Sequence, residues 1–298
     1  MQRLLSLAVI AIATLGAVTA ISMAKLPPPL AKHQKLACGA HGNACEVGGR
    51  HYNIATPVGD GPFPVVLFFH GSKQSGDKMM SRTGLVDLFI KRGYAFVAPT
   101  ALNVRYASGP GTGWLNNNSG KREGRDDFEF VQDVLDDIAA RFDIDAQRIL
   151  VAGQSNGAIF SWYLACGDVD ARLRHFAAHG GTPGVKYFSR CDESALDFSF
   201  IHAHGLADHV VPARGGYRKN GDWEYHSPEK LISGLAGKAN CRFERQDTVG
   251  PYQKTTHKTC NSQHEYSVAF YDGGHGIPRH WPDLILDWFE AFEPAANG

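Results

Sequence analysis

The fold is decided by the stretch Arg148-Ile149-Leu150-Val151-Ala152-Gly153-Gln154-Ser155-Asn156-Gly157-Ala158. It consists of a short apolar run, the pattern Gly-x-Ser-x-Gly and the start of a helix. A serine on a sharp strand-to-helix turn adopts a strained backbone conformation, so the residues two positions away must be very small. Gly153 and Gly157 meet that requirement, and the helix N-terminus would stabilise negative charge that develops near Ser155. The stretch therefore predicts a nucleophilic serine rather than a glycine-rich turn with an inert one.

Apolar runs of strand length alternate with helical patterns on both sides of this turn. Strands are predicted at 64–69, 94–99, 148–152, 175–178, 198–203 and 267–271, and helices at 85–92, 128–142, 158–165 and 282–292. This alternation predicts an α/β fold with a doubly wound, mostly parallel sheet and covering helices. An edge hairpin is expected at 47–57 and an irregular insert at 214–266. The short interval between Ser155 and Asp208 leaves no room for a large lid domain, which favours an open groove.

The beginning of the chain has the pattern of a secretory signal peptide. One positive residue, Arg3, precedes an apolar run over residues 4–18, and Ala20 or Ala24 offers a cleavage site. The apolar run is close to the length that spans a bilayer, so an uncleaved membrane anchor is the alternative.

The resulting domain plan is a signal peptide over residues 1–24, a Pro-rich linker over 25–37 and one catalytic domain over 38–298. We expect a secreted protein, periplasmic or extracellular, with no membrane association after cleavage. The 30 basic and 30 acidic side chains balance, which gives no indication of a nucleic-acid partner. The oligomeric state is not indicated.

Six cysteines fit an exported protein, since an even number in an oxidising compartment usually indicates disulfides. Fifteen pairings are possible for six cysteines. Local closure, the pairing of cysteines on either side of one short loop, favours Cys38 with Cys45 and Cys241 with Cys260. This leaves Cys166 and Cys191 for each other. The connectivity nevertheless stays open at the level of sequence.

A base and an orienting carboxylate for Ser155 are expected downstream, in the order Ser, Asp, His. Asp208 follows the predicted strand at 198–203, and His275 lies in a Gly-rich loop after the strand at 267–271. Asp208 as a turn cap and His275 as a surface residue are the plain alternatives. The oxyanion is expected to be bound by the amides of Asn156 and Ser72, with Gly71 the alternative to Ser72.

A metal site is the competing interpretation of the segment around Asp208. His202, His204, Asp208 and His209 approximate the His-x-His-x-Asp-His pattern of zinc hydrolases, but the spacing is two residues longer. No equally clear ligands follow downstream, so neither a metal nor another cofactor is expected.

Aromatic residues in loops are candidates for substrate contact. The favoured two are Trp114 and Trp281, and the wider set also includes Tyr106, Trp223 and Tyr225. Packing in the core is the commoner role of such residues.

These segments together resemble a family of α/β-hydrolases that includes polyhydroxybutyrate depolymerases and secreted feruloyl esterases. The residues that carry the resemblance are His70-Gly71 with Gln74, 126–130, Ile144-Asp145 with Arg148-Ile149, 153–158, His204-Gly205 with Asp208 and Val211-Pro212, and 273–275 with Trp281-Pro282. The resemblance implies an α/β-hydrolase fold, a triad of Ser155, Asp208 and His275, and an exposed site that binds an ester or polymeric substrate. Two departures are Ser72, where many members have cysteine, and the longer spacing from His275 to Trp281.

The expected function is therefore a secreted serine esterase that acts on bulky or polymeric carboxylic esters through an acyl-enzyme. A serine amidase or peptidase that cleaves a polyamide such as poly(aspartic acid) is the alternative, because a triad does not distinguish C–O from C–N cleavage. A metallo-hydrolase is less favoured. An inactive binding protein is disfavoured by the intact order of Ser155, Asp208 and His275.

Overall fold

The computed structural model describes residues 38–106, 108–117, 121–185, 191, 194–217, 223–258, 260 and 264–292. The predicted signal peptide over 1–24 and the linker over 25–37 lie outside the described residues. Among the helices that are described, none has the length and apolar composition needed to cross a membrane.

Strands and helices alternate as the sequence pattern predicts. The strands are β1 (Cys45–Val47), β2 (Arg50–Ala55), β3 (Phe63–Phe69), β4 (Ala95–Pro99), β5 (Asn103–Tyr106), β6 (Gly109–Thr112), β7 (Lys121–Arg122), β8 (Arg125–Asp126), β9 (Ile144–Gln154), β10 (His175–His179), β11 (Ser199–Gly205), β12 (Gly216–Tyr217), β13 (Glu224–Tyr225), β14 (Phe243–Val249), β15 (Tyr252–Lys258) and β16 (Tyr266–Tyr271). The helices are α1 (Gly76–Met80), α2 (Thr83–Lys91), α3 (Asp127–Arg141), α4 (Asn156–Ala165), α5 (Pro228–Lys238) and α6 (Trp281–Glu290).

Within the described residues, ten strands form one central sheet in the order β1-β2-β4-β3-β9-β10-β11-β16-β15-β14. The strands from β4 to β16 in this order run parallel, and antiparallel strands lie at both edges. The predicted edge hairpin is present as β1 and β2. The prediction of a doubly wound, mostly parallel sheet is confirmed, and it brings the carboxyl ends of β3, β9, β11 and β16 to one edge.

Alternate side chains of the central strands enter two separate cores. In β3, Val65 and Leu67 pack on one face of the sheet with α3, α4 and α5. Val66 and Phe68 pack on the other face with α1, α2 and α6. Because both faces are covered, these strands are apolar at nearly every position, which is the pattern that made them recognisable.

The segment 214–266 is more regular than the sequence indicated. It contains α5, and its hairpin of β14 and β15 extends the central sheet through pairing of β15 with β16. Strand β14 is solvent-exposed along nearly all of its length. Polar residues therefore occur at consecutive positions, and no period of two marks the strand in the sequence.

Three disulfides join Cys38 to Cys45, Cys166 to Cys191 and Cys241 to Cys260. These are the pairs that local closure favoured. Two of them close loops at the ends of the sheet, beside β1 and between α5 and β16.

A buried ionic cluster connects β2 to the start of α3. The Asp127 carboxylate is fully buried and accepts hydrogen bonds from Arg50 (2.8 Å) and from Arg125 Nε (3.0 Å) and Nη2 (2.7 Å). The amide of Leu115 donates to the same carboxylate at 2.8 Å. Asp126, by contrast, is the N-cap of α3, since its carboxylate accepts from the amides of Phe128 and Glu129. The two adjacent acids thus have different roles.

Four histidines at or near the carboxyl ends of strands are also fully buried: His70, His179, His202 and His204. Burial shifts the pKa of the first three. Burial lowers the pKa of His70 to about 4 and that of His179 to about 3. It also holds the pKa of His202 well below its ordinary value. His70 and His179 are therefore neutral in the folded protein above about pH 5, and burial favours the neutral form of His202 as well.

Asp127→Asn is expected to lower the free energy of unfolding by ~3–5 kcal/mol, because it leaves two buried guanidinium groups without their anion. Asp126→Asn is the matched control, since asparagine caps a helix as well as aspartate and the change should cost less than about 1 kcal/mol. Urea unfolding followed by circular dichroism measures both. Equal losses in the two variants would contradict the assignment of the ion cluster to Asp127.

The free energy of unfolding is also expected to fall as pH is lowered from about 6.5 to 5. In the unfolded chain His70, His179 and His202 bind protons below about pH 6.5, whereas burial favours their neutral form in the folded state. Each buried ring therefore lowers stability by up to about 1.4 kcal/mol per pH unit in this window. Urea unfolding at several pH values tests this, and a flat profile between pH 7 and 5 would show that the rings take up protons without unfolding.

Candidate active site

Ser155 lies on a sharp turn between β9 and α4. Its backbone has φ of 57°, in the left-handed region that residues other than glycine rarely adopt. The turn is held by a hydrogen bond of 2.9 Å from the Ser155 amide to the carbonyl of His179 on the neighbouring strand β10. The strained turn predicted from the sequence is present, and it raises the serine side chain at the carboxyl edge of the sheet.

Close backbone contacts explain the glycines around Ser155. A Cβ atom on Gly153 would collide with the carbonyl of Gly157, and one on Gly157 would collide with the carbonyl of Phe69. On the neighbouring strand end, a Cβ on Gly181 would collide with the carbonyl of Ser155 itself. The turn therefore fits between β3 and β10 only because these positions have no side chain.

His275 and Asp208 complete a hydrogen-bonded chain with Ser155. The Ser155 hydroxyl faces His275 Nε2 at 2.8 Å, and His275 Nδ1 faces Asp208 Oδ2 at 2.7 Å. Asp208 lies just after β11 and His275 just after β16, so both loops leave the same edge of the sheet as Ser155. The structure thus brings together the three residues that the sequence placed in this order.

Asp208 is a buried carboxylate with several donors. Its Oδ1 accepts from the amides of Val210 (2.8 Å) and Val211 (2.9 Å), and His204 Nε2 lies 3.4 Å from Oδ2. Burial by itself raises the pKa of Asp208, but the hydrogen bonds from His204, His275 and Val211 outweigh it and hold the pKa well below its ordinary range. Asp208 is therefore ionised and oriented before any substrate binds.

Behind Asp208, two fully buried histidines and a tryptophan form a chain. Trp162 Nε1 donates to His202 Nδ1 at 3.2 Å, and His202 Nε2 lies 3.0 Å from His204 Nδ1. His204 Nε2 in turn donates to the carbonyl of Val211 at 2.9 Å. Each ring is thus a donor at Nε2 and an acceptor at Nδ1. Of the residues considered for a zinc site, His202 and His204 thus direct their nitrogens at protein partners, whereas His209 is exposed to solvent.

The loop that carries His275 is held by Tyr271. The Tyr271 hydroxyl lies 3.0 Å from the carbonyl of Gly274 and 3.2 Å from that of Gly276, on either side of His275. His179 Nε2 lies 3.0 Å from the same hydroxyl and donates to it. His179 therefore fixes both ends of the site, since its carbonyl holds the Ser155 amide and its ring supports the His275 loop.

The loop after β3 lies directly against Ser155. A Cβ atom built on Gly71 would be 3.4 Å from the Ser155 Cβ, so the loop approaches as closely as a glycine allows. His70 fixes this loop as a neutral ring, since Nδ1 donates to the Gly71 carbonyl at 2.8 Å and Nε2 accepts from the Ala101 amide at 3.1 Å. Ser72 follows at the surface of the pocket. The predicted oxyanion loop is thus adjacent to Ser155.

Asn156, the other predicted oxyanion residue, begins α4 and is held by Trp114. The Trp114 amide donates to Asn156 Oδ1 at 2.7 Å, and Asn156 Nδ2 donates to the Trp114 carbonyl at 3.3 Å. The neighbouring residue Leu115 is tied to Asp127. The ionic cluster at α3 is therefore connected to Asn156 through the segment 113–115.

The structure corrects the expectation that Trp114 and Trp281 contact substrate. Trp114 is 3% exposed and stacks on Phe160, while Trp281 is 0% exposed and packs edge-on to Phe68. Their large apolar rings are stabilised by burial, and core packing decides their place. Tyr106, from the wider set of aromatic candidates, does line the pocket.

A pocket of about 440 Å³ opens over Ser155 and His275. Its lining residues are Gly71, Ser72, Lys73, Gln74, Arg82, Tyr106, Ser108, Gln154, Ser155, Val210, His275, Gly276 and Ile277. Sequence reasoning missed Lys73, Arg82, Val210 and Ile277. The position of Lys73 next to Ser72, and of Ile277 two residues after His275, was the available signal.

No protein-family model matches the chain. It is similar to a probable feruloyl esterase C of Aspergillus niger, with 25% identity over 279 residues, 89% of this chain and 88% of the relative. A feruloyl esterase C of Emericella nidulans is 25% identical over 78% of this chain and 79% of the relative.

Among solved structures, an acetyl xylan esterase from Aspergillus awamori superimposes with a TM-score of 0.57 at 15% identity, over 80% of this chain and 93% of that chain. A Bacillus cereus carboxylesterase gives a TM-score of 0.52, also at 15% identity, over 82% and 95% of the two chains. At this identity the likeness shows the fold alone. Together with the feruloyl esterase relatives, it confirms the resemblance found in the sequence: the chain is similar to feruloyl esterases, and it is a serine hydrolase with the α/β-hydrolase fold.

Proposed function

We propose that this protein is a secreted esterase that hydrolyses bulky or polymeric carboxylic esters through an acyl-enzyme on Ser155. The observation that carries the proposal is the continuous chain from Ser155 to His275 (2.8 Å) and from His275 to Asp208 (2.7 Å), built on a left-handed serine turn. This geometry matches what nucleophile, base and orienting acid require of one another.

In the first step, His275 Nε2 takes the hydroxyl proton of Ser155 as the serine oxygen attacks the ester carbonyl. A tetrahedral oxyanion forms, and the amides of Asn156 and Ser72 donate to it. Each such donor contributes ~3 kcal/mol of transition-state stabilisation. Collapse of the intermediate breaks the C–O bond, and the protonated His275 gives its proton to the departing alcohol.

In the second step, water replaces the alcohol. His275 takes a proton from that water, the resulting hydroxide attacks the acyl-enzyme, and Ser155 leaves with the proton returned by His275. Asp208 stays ionised throughout, keeps the His275 Nδ1 proton in place and stabilises the imidazolium. The low pKa of Asp208, which its several donors maintain, supports this role.

Three observations support the proposed size of the substrate and the proposed location of the protein. The pocket is bounded by loops that leave the strand ends, and among the described residues none between Ser155 and Val210 lines it. The relatives are described as feruloyl esterases, which supports an ester of a bulky acid. The three disulfides support an oxidising, extracytoplasmic location of the protein, and we propose that residues 38–298 form its one catalytic domain.

Ser155→Ala is expected to lower kcat on p-nitrophenyl acetate by at least about 10⁴-fold, because the attacking oxygen is lost. The matched control is Ser161→Ala, which removes a serine hydroxyl six residues further along the chain, within α4. Release of p-nitrophenol, with and without EDTA, is the measurement. Activity retained in the Ser155 variant would overturn the acyl-enzyme mechanism, and loss of wild-type activity with EDTA alone would favour the metal-dependent alternative.

His204 is expected to act as a positioning residue for Asp208. His204→Leu removes the N–H group beside Asp208 Oδ2 and should lower kcat about tenfold with little change in KM, since a lost hydrogen bond to a carboxylate is worth ~1.5–3 kcal/mol at full strength. His204→Gln retains an amide donor and should recover part of the loss. Steady-state kinetics of the wild type and both variants is the test. If kcat falls equally in His204→Leu and His204→Gln, the hydrogen bond has no effect and His204 acts through packing alone.

A further inference from the structure

Two cations line the pocket beside the nucleophile. Lys73 follows the oxyanion residue Ser72 directly, and Arg82 lies at the N-terminus of α2. No aspartate or glutamate is among the lining residues that the structure describes. The chain as a whole has no net charge, so this positive field belongs to the pocket and not to the whole surface.

The partners of both cations are neutral. Lys73 Nζ donates to the carbonyl (3.2 Å) and hydroxyl (2.9 Å) of Ser108, and lies 5.8 Å from the ring centre of Tyr106. Arg82 Nη2 lies 3.5 Å from the amide oxygen of Gln74. In the described part of the chain, no carboxylate pairs with Lys73 or Arg82.

Several arginines outside the pocket pair with acids. Arg92 contacts Asp287 and Glu290, and Arg172 contacts Asp136 and Asp170. These pairs lie on surfaces outside the pocket. The uncompensated charge of Lys73 and Arg82 therefore coincides with the place where substrate would bind.

The apolar residues of the pocket lining come from different loops than the cationic Lys73. Val210 and Ile277 come from the loops after β11 and β16, whereas Lys73 comes from the loop after β3. Because β9 lies between β3 and β11 in the sheet, these loops reach Ser155 from opposite sides. One side of the pocket is thus cationic and the other apolar.

We propose that the pocket selects esters that carry a free carboxylate a few bonds from the scissile carbonyl, with the carboxylate bound between Lys73 and Arg82. This inference rests on the proposed esterase function. An apolar carbon chain lies against Val210 and Ile277, and the anion lies beside the oxyanion loop. Half-esters of dicarboxylic acids and acid-ended oligoesters have this chemistry, with the carboxylate on the acyl side or on the alcohol side respectively.

Two pairs of substrates distinguish the sides. For the acyl side, p-nitrophenyl hydrogen adipate is compared with its methyl-capped form, methyl p-nitrophenyl adipate. For the alcohol side, release of acetate from 3-acetoxybutanoate is compared with release from its methyl ester. Within each pair the carbon chain between the two carbonyl groups is the same, and the members differ in one negative charge and one methyl group, so the ratio of the two kcat/KM values reports recognition of the carboxylate.

The variants are Lys73→Gln, Arg82→Gln and the two combined. Lys78→Gln is the matched control, because Lys78 is exposed on α1 and does not line the pocket. Lys78→Gln removes one positive charge outside the pocket. Comparison with the pocket variants therefore separates binding of the carboxylate in the pocket from the effect of the protein's net charge. Each assay is performed at about 20 mM and about 0.5 M NaCl, since the attraction between exposed charges is screened by salt.

In the wild type at low salt, the charged member of at least one pair is expected to be preferred about tenfold, the size of a carboxylate's attraction to two solvent-exposed cations. The ratio should fall towards one at high salt and in the double variant, but not in Lys78→Gln. No preference in either pair, or a preference that survives in the double variant, would overturn the inference while Ser155-dependent hydrolysis of the neutral esters leaves the esterase function standing. If neither member of either pair is hydrolysed, the result contradicts the proposed esterase function itself.

Discussion

The whole site depends on how closely three strand ends approach one another at Ser155. The serine backbone is held at φ of 57°, and the Cβ atoms missing from Gly153, Gly157 and Gly181 would occupy space that neighbouring carbonyls fill. Local strain of this kind persists only where the surrounding structure fixes it. Here the fixing elements are the parallel strands β3, β9 and β10 and the hydrogen bond from Ser155 to His179.

Around that turn, the polar residues form a network that is ordered before substrate arrives. Asp208 is surrounded by donors, His275 is held through Tyr271, and Asn156 is clamped by Trp114. Burying so many polar groups is costly unless each finds a partner, and here the partners converge on the reacting atoms. Such preorganisation is the largest contribution that a hydrolase of this kind makes to catalysis.

Sequence reasoning succeeded where a local requirement dictates residue type. The glycines at 153 and 157, the apolar strands and the order of Ser155, Asp208 and His275 each follow from a steric or chemical need that leaves a pattern. It failed where the environment is set by distant parts of the chain. Trp114 and Trp281 are buried because other elements cover them, and β14 is a strand only because β15 offers an edge.

The sequence by itself therefore determined the fold class and the order of the three residues in the hydrogen-bonded chain, because close packing at the turn and alternation along the strands act over a few residues. The tertiary structure alone decided the character of the pocket. Lys73 and Arg82 come together with Val210 and Ile277 only because β3, β11 and β16 end at the same edge of the sheet. These four residues are too far apart along the chain for a periodic sequence pattern to predict that they meet.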